Sequence, residues 1–378
     1  MIIFAAEMHY SFDDGETVLT LEGKVNGTFT VASMVSNKKA SKVKRIDLTN
    51  VDTRNLTDMW RMFANCTSLE TIEFPPSFDT SNVEDMAEMF ENCIKLKHVV
   101  FSEAFDTSSV RCMYGMFKNC SSLECIEFPY SFDTYVVTDM QNMFDGCSSL
   151  KYIRTRRAFD TTGVVHMEAM FYNCYALESA DIVRAFDTSN VQGMMSMFHD
   201  CQSLKEIDVS SFDVSNVKTM NSMFSSCINV EVIKLPFTFG DNSIEDMAYM
   251  FDKCKLLKEV VMPRSFLATR CKSVNGMFNE CESLETLVIP NATFDKCKMD
   301  FFIDDCVSLR KLDIPVMNIK RLLGCKHIAD DGDGLADCRI TMSKKYRHMV
   351  DAFCETFNAK KENITFAGFW YKLLHWFI

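Results

Sequence analysis

The segment of residues 66–93 opens with apolar and polar residues in alternation. Leu69, Ile72 and Phe74 form an L-x-x-I-x-F pattern, in which Ile72 and Phe74 flank the polar Glu73. A two-residue period is typical of a short strand with one buried face. The pattern therefore predicts one short strand in this segment.

The second half of the same segment changes to a helical spacing. It follows a turn-forming "DTSN" at residues 79–82, whose Asp, Ser and Asn side chains can hydrogen-bond to the local backbone. Ser81 and Glu84 have the spacing of a capping box, which marks the start of a helix. The apolar residues fall at i, i+3, i+7 and i+10, namely at Val83, Met86, Phe90 and Cys93. This half is therefore predicted to be a short helix.

The unit recurs along the chain with a nearly constant period. Its closing cysteine returns after steps of 25 to 27 residues, at Cys66, Cys93, Cys120, Cys147, Cys174, Cys201, Cys227, Cys254, Cys281 and Cys306. Such a period indicates stacked units that bury their apolar faces only against their neighbours. We predict an α/β repeat protein, a right-handed solenoid over residues 41–342 with one short parallel strand and one short helix per coil. A degenerate coil from Val43, and another containing Leu335, Cys338 and Ile340, bring the total to about 11 or 12 coils.

The residue after the strand leucine alternates in charge through ten coils. The column reads Glu70, Lys97, Glu124, Lys151, Glu178, Lys205, Glu231, Lys258, Glu285 and Arg310, and Lys44 continues it backwards. Neighbouring strands lie about 4.8 Å apart, so that each charge would stand between two opposite charges. We interpret this charge ladder as a device that fixes the register of the coils.

Both ends of the chain depart from the repeat and are predicted to cap it. Residues 1–40 are expected to form a β-hairpin cap with its tight turn at Asn26-Gly27. Residues 343–378 are expected to form a helical cap, with one apolar face made by Tyr346, Met349, Val350, Phe353 and Phe357. The aromatic tail "FAGFWYKLLHWFI" either folds back onto this cap or docks on a partner or a membrane surface.

Composition narrows the class of partner and the compartment. The net charge of −12 disfavours a general nucleic-acid binder, and no apolar stretch is long enough to span a membrane. The 17 cysteines are odd in number and lack zinc-site spacing, which favours a reducing compartment. The N-terminus does not look like a signal peptide. We therefore expect an intracellular monomer rather than a surface protein, and a virus- or phage-encoded origin stays open.

The repeat resembles the BspA-like leucine-rich repeats of bacterial surface proteins, mycoplasma lipoproteins and some protist proteins. The matching words are "FDTSNVEDM", "MFENC" and "CSSLECIEF", and the resemblance covers about residues 41–315. It implies a leucine-rich-repeat-like solenoid with strands on one face. It also implies a binding or adhesion protein, without shared catalytic residues. No leader, lipobox cysteine or sorting signal like those of the surface members is evident in the sequence, so surface display is not expected.

Candidate binding residues lie at the variable, outward positions of the strands, where solenoids recognise partners. One candidate is a basic spot, made by Tyr152, Arg154, Arg156 and Arg157. The other is a less polar strip, made by Val232, Val261 and Val288.

Calcium binding and enzyme catalysis have weaker support in the sequence. "DDGDGLAD" at residues 330–337 resembles a calcium loop with ligands Asp331, Asp333 and Asp337, although a polar turn before the last strand is the favoured interpretation. No catalytic constellation is present, because the seven histidines are scattered and no glycine-rich phosphate loop occurs. We expect no enzyme activity and, calcium apart, no cofactor. The sequence favours a non-enzymatic protein-interaction scaffold that binds through its strand face; the alternative is a cell-surface adhesin or host-interaction protein of the BspA type.

Overall fold

The computed structural model describes residues 7–237, 239, 243–324 and 335–367. The chain divides into two compact units, the first made of residues 1–191 and 197–201 and the second of residues 192–196 and 202–378. Each unit is built of stacked coils with short parallel strands, so the predicted leucine-rich-repeat solenoid is confirmed. None of the helices in the described part of the chain has the length and apolar character that a membrane crossing requires.

The strands of the first unit form two sheets. The elements are β1 (Glu7–Phe12), β2 (Val18–Gly27), α1 (Val31–Val35), α2 (Asn37–Ala40), β3 (Arg45–Leu56), β4 (Thr71–Glu73), β5 (His98–Val100), β6 (Cys125–Phe128) and β7 (Tyr152–Thr155). One sheet has the order β1-β2-β3-β4-β5, and β6 pairs with β7. The parallel register joins equivalent residues of successive repeats, such as Ile72 with Val99 and Ile126 with Ile153.

The second unit continues the same scheme with its own two sheets. Its elements are β8 (Glu206–Asp208), β9 (Val232–Lys234), β10 (Glu259–Val261), β11 (Thr286–Val288), β12 (Lys311–Ile314), α3 (Ile319–Leu323), β13 (Arg339–Ser343), α4 (Val350–Phe357) and β14 (Ile364–Ala367). β8 pairs with β9, and the second sheet runs β10-β11-β12-β13-β14. Short 3-10 helices at Lys344–Met349 and Lys361–Asn363 flank α4.

The core consists of columns of identical side chains. In the first unit one column of buried phenylalanine rings is stacked at centroid distances of 5.4 to 5.7 Å, through Phe63, Phe90, Phe117, Phe144, Phe171 and Phe198. The closing cysteines are buried free thiols. Cys147 Sγ, for example, donates to the carbonyl oxygen of Phe117 at 3.1 Å. Burial raises the pKa of the Cys66 thiol to about 12, so this column is inert rather than reactive.

The segment predicted to be a short helix is a run of turns instead. Two residues of each run have a left-handed backbone, as Arg61 with φ 53° and Asn65 with φ 61° do. A left-handed residue ends an α-helix, and Asn tolerates this conformation better than most residues. The predicted capping box is absent too, since Asp79 Oδ1 accepts from the N–H of Ser81 at 3.0 Å.

The backbone N–H groups of these turns form hydrogen bonds both within their own coil and to the next coil. The N–H of Met62 donates to the carbonyl oxygen of Met59 within the coil, at 3.1 Å. The N–H of Phe63 donates to the carbonyl oxygen of Met89 in the next coil, at 2.9 Å. Because alternate N–H groups need the following coil, a single coil could not satisfy its own backbone.

One coil has no strand where the repeat predicts one. Residues Asp181–Ala185 form a 3-10 helix. Ala180 stands where other coils have Ile, Val or Leu, and alanine has a low strand propensity. The Oγ of Ser179 also donates to Asp181 Oδ2 at 2.8 Å, and such local bonds compete with a strand ladder.

The terminal elements correct two predictions. An N-terminal hairpin forms from β1 and β2, but its turn lies between Phe12 and Val18 and not at Asn26-Gly27. Asp13 Oδ1 stabilises this turn by accepting from the N–H groups of Thr17 and Val18, each at 2.7 Å.

At the other end, the coil register differs from the prediction. Ile340 pairs with Leu312 and Met342 with Ile314, so the last L-x-x-I-x-F motif is displaced by two residues. A further parallel strand, β14, follows α4 and pairs with β13. Tyr346, Phe353 and Phe357 of the predicted helical face are buried, as expected. The aromatic tail beyond Ala367 lies outside the described residues.

Candidate functional site

The strand face of the first unit carries exposed side chains at alternate strand positions. In β7, Tyr152 and Arg154 point outward on either side of Ile153. The Tyr152 side chain is 40% exposed, and the Arg154 guanidinium lies 6.0 Å from its ring centroid. Neighbouring β6 is in register, with Cys125 beside Tyr152 and Glu127 beside Arg154. The structure therefore brings the two predicted residues together on a hydrogen-bonded parallel ladder.

A second exposed tyrosine, which the sequence pattern did not single out, follows β6. Tyr130 is 66% exposed. It occupies the repeat position that Glu103 fills in the preceding coil and Arg157 in the following one. The signal was available, because an aromatic residue stands where both neighbouring coils carry a charged one. We call Tyr152 and Arg154, the two outward residues of β7, the tyrosine–arginine patch.

The predicted basic spot is largely neutralised. Arg156 forms ion pairs with Glu103 at 2.6 Å and Glu127 at 3.6 Å. Arg157 forms one with Asp133 at 2.7 Å. Three carboxylates from the two preceding coils thus balance these arginines, whereas Arg154 has no ion pair among the described residues. Arg156 and Arg157 are therefore ion-paired within the protein, and their part in partner binding stays a prediction.

The three valines of the second unit are only partly brought together. Val261 in β10 and Val288 in β11 are register partners, and Val261 is 52% exposed. Val232 is 46% exposed, but it occupies the first outward position of β9 rather than the third. Lys234, in the third position of β9, is paired with Glu206 at 2.6 Å. The apolar strip is therefore a two-residue patch with Val232 displaced to the other column.

The charge ladder forms beside these strands as separate ion pairs. Three pairs lie within 4.0 Å, namely Lys44–Glu70 at 3.8 Å, Glu124–Lys151 at 3.0 Å and Glu231–Lys258 at 3.2 Å. The hydrogen bond from Lys151 Nζ lowers the pKa of Glu124 below its ordinary value. Backbone hydrogen bonds also join successive ladder residues, as from the N–H of Lys97 to the carbonyl oxygen of Glu70 at 2.9 Å. The ladder is thus in register.

The calcium candidate falls mostly outside the described residues. Asp331 and Asp333 are not described, and Asp337 accepts a 2.8 Å hydrogen bond from Lys360 Nζ. Within the described ranges, no group of three or more His, Cys, Asp or Glu side chains could hold a metal ion. Calcium binding by residues 330–337 stays a prediction.

Comparison with known proteins places the repeat in a family. The family described as "Mycoplasma protein of unknown function, DUF285" matches residues 30–156, 138–235 and 229–296. The chain belongs to this family. Because the DUF285 match ends at residue 296, β12, β13 and β14 lie beyond it. No curated protein matches the sequence of the chain.

Several solved structures resemble this DUF285 protein at low identity. A leucine-rich repeat protein from Bacteroides ovatus is 16% identical with a TM-score of 0.45, covering 91% of this chain and 100% of its own. One from Eubacterium ventriosum is 17% identical with a TM-score of 0.42, covering 82% and 77% respectively. The pneumococcal vaccine antigen PcpA is 14% identical with a TM-score of 0.44, covering 97% and 99%. Likeness of this degree carries no information on function.

Proposed function

We propose that this protein is a non-enzymatic interaction module that binds a protein partner on the strand face of its first unit. The observation that carries the proposal is the tyrosine–arginine patch, which stands exposed on an in-register parallel ladder. Tyr and Arg are enriched among the residues that dominate protein–protein binding energy. A rigid ladder also lowers the entropy that such side chains lose when they bind.

The surroundings of the patch resemble the core and rim of an interface. Val100, two coils before Arg154 in the same column, is exposed and adds apolar area. The paired charges of Arg156, Glu103 and Glu127 lie around it and are satisfied within the protein. Binding at the patch would therefore bury aromatic surface. It would leave no charge at the rim of the interface without an ion-pair partner, which favours affinity.

A matched set of variants tests this proposal. The double variant Tyr152→Ala/Arg154→Ala removes the patch, while Tyr175→Ala removes a tyrosine of nearly equal exposure, 41%, outside the strands. Immobilised full-length protein should capture at least one protein that is lost with the double variant and kept with Tyr175→Ala. If all captured proteins are lost equally with both variants, or with neither, the patch is not the binding site.

We also propose that the protein works in a reducing compartment. The sixteen described cysteines are all free, and the ten closing cysteines are buried in the core. Thiol counting after denaturation without reductant should find at least these ten in protein isolated from its source cells. A count below about five would instead favour the adhesin alternative, since disulfides persist in oxidising surroundings.

A further inference from the structure

Basic side chains gather on a part of the second unit that lies away from its strands. Coils of this unit contain a second parallel ladder, made of single bridges such as Asp246 with Ser273 and Ser273 with Lys298. Six exposed cations lie along the last segments of this ladder and in α3, which we call the basic patch: Arg270, Lys272, Lys296, Lys298, Lys320 and Arg321.

Backbone contacts hold three successive segments of this patch side by side. The N–H of Lys298 donates to the carbonyl oxygen of Lys272 at 2.9 Å. Arg321 Nε donates to the carbonyl oxygen of Cys297 at 3.1 Å, which places α3 against the segment that carries Lys296 and Lys298. The six cations therefore form one continuous surface, although 51 residues separate the first from the last along the chain.

The patch divides into cations with a carboxylate partner and cations without one. Arg270 and Lys272 both pair with Glu245, at 3.9 and 2.5 Å. The register partner of Lys298 in the neighbouring segment is the uncharged Ser273. Lys296, Lys298 and Lys320 have no ion pair with a carboxylate among the described residues. These three exposed ammonium groups are therefore available to an anionic ligand.

We propose that the basic patch binds an acidic protein segment, one in which several Asp or Glu side chains follow one another closely. Charge complementarity supports this class of partner. The chain as a whole has a net charge of −12, so a long polyanion that extended beyond the patch would meet a repelling surface. A short acidic segment can stay within the patch. This site is separate from the strand face and does not depend on the function proposed above.

Fluorescence polarisation with labelled deca-glutamate and the full chain tests the proposal. Lys296→Glu/Lys298→Glu is the test variant, and Lys38→Glu/Lys42→Glu is the control, since all four lysines are exposed and both variants change the net charge equally. The test variant should weaken binding by at least about tenfold, and the control by less than about twofold. Binding should also fall steeply between about 0.01 and 1 M salt, because the Debye length shrinks from roughly 30 Å to 3 Å. Equal weakening by both variants would overturn the proposal, as would no binding of deca-glutamate at low salt.

Two further ligands test the class of partner. Oligothymidylate of equal length and phosphatidylserine vesicles should bind more weakly than deca-glutamate, and tighter binding of either would assign the patch to that partner instead. The strand-face variant Tyr152→Ala/Arg154→Ala should bind deca-glutamate normally, so that failure of one site is distinguishable from failure of the other.

Discussion

Valine in place of Thr80 should destabilise the first unit, whereas the same change at Thr53 should stabilise it. Both threonines are buried and occupy the same column of the repeat. Thr80 Oγ1 donates to the carbonyl oxygen of Asp106 in the next coil at 2.7 Å, but Thr53 Oγ1 has no hydrogen-bond partner among the described residues. The difference arises because Thr53 lies within the long strand β3, whereas Thr80 lies in a turn that faces the following coil.

The expected changes in the free energy of unfolding come from the loss of one hydroxyl group at each site. Valine has nearly the same shape as threonine, so packing and strand propensity change little at either site. Thr80→Val loses a buried hydrogen bond and leaves the Asp106 carbonyl without this donor, which costs about 1–2 kcal/mol. Thr53→Val removes a buried, unpaired hydroxyl, and this should increase the free energy of unfolding by about 1 kcal/mol. The two variants should therefore differ by about 2–3 kcal/mol.

Urea unfolding of the full chain, followed by far-UV circular dichroism, measures both effects. The midpoint should fall for Thr80→Val and rise for Thr53→Val, with unchanged slopes m showing that compactness is not altered. Equal shifts of the same sign would refute the reasoning, because burial alone, and not the bond between coils, would then govern the column.

Four other substitutions test the phenylalanine stack, two carboxylates with shifted pKa values and the charge ladder. Phe144→Leu should cost about 1–3 kcal/mol more than Phe186→Leu, measured by the same urea assay, because Phe144 is stacked on two rings at 5.7 Å and Phe186 has no ring contact among the described residues. Burial raises the pKa of Asp85 above 3.8, so Asp85→Asn should raise Tm at pH 7 and this gain should vanish as the pH falls towards 3.8. Hydrogen bonds from Ser189 lower the pKa of Asp187, so Asp187→Asn should lower Tm at pH 7 and converge with the wild type at low pH. Lys151→Glu should lower Tm at low salt and less at high salt, since it sets like charges side by side.

The period and the core columns could be predicted because they rest on burial, which recurs identically in each coil. The strand positions of Ile72, Val99 and Ile126 follow directly from the L-x-x-I-x-F pattern, and the register of Ile72 with Val99 follows from the 27-residue step. The first degenerate coil was recognised for the same reason, since Ile46 pairs with Ile72.

The predicted helix failed because its apolar spacing does not distinguish a helix from consecutive turns. Met86, Phe90 and Cys93 are buried in either conformation. What decides between them is the hydrogen bonding of the backbone to the next coil, which a periodicity analysis does not see. The Asn before four of the ten closing cysteines, such as Asn92 with φ 61°, was the available local signal for a left-handed residue.

Surface charge could be predicted only where it followed the period. The ladder from Glu70 to Arg310 was visible because one position in each repeat carries it. The ion pair of Arg156 with Glu103 joins residues 53 apart, and neither belongs to the ladder column. The basic patch was not predicted from the sequence either. The step from Cys281 to Cys306 is shortened to 25 residues, so equivalent positions cannot be matched by a constant period there.

Site-specific photocrosslinking tests the central claim, that the strand face of the first unit binds a protein partner. We would introduce p-benzoylphenylalanine at Tyr130, which follows the strand β6 that pairs with β7, and separately at Tyr175, which is also exposed but follows the closing Cys174 rather than a strand. Irradiation should give a covalent adduct with a protein partner from position 130 and not from position 175. Excess unlabelled wild-type protein should suppress this adduct, and excess Tyr152→Ala/Arg154→Ala protein should not. An adduct from position 175 alone, or equal suppression by both competitors, would contradict the account.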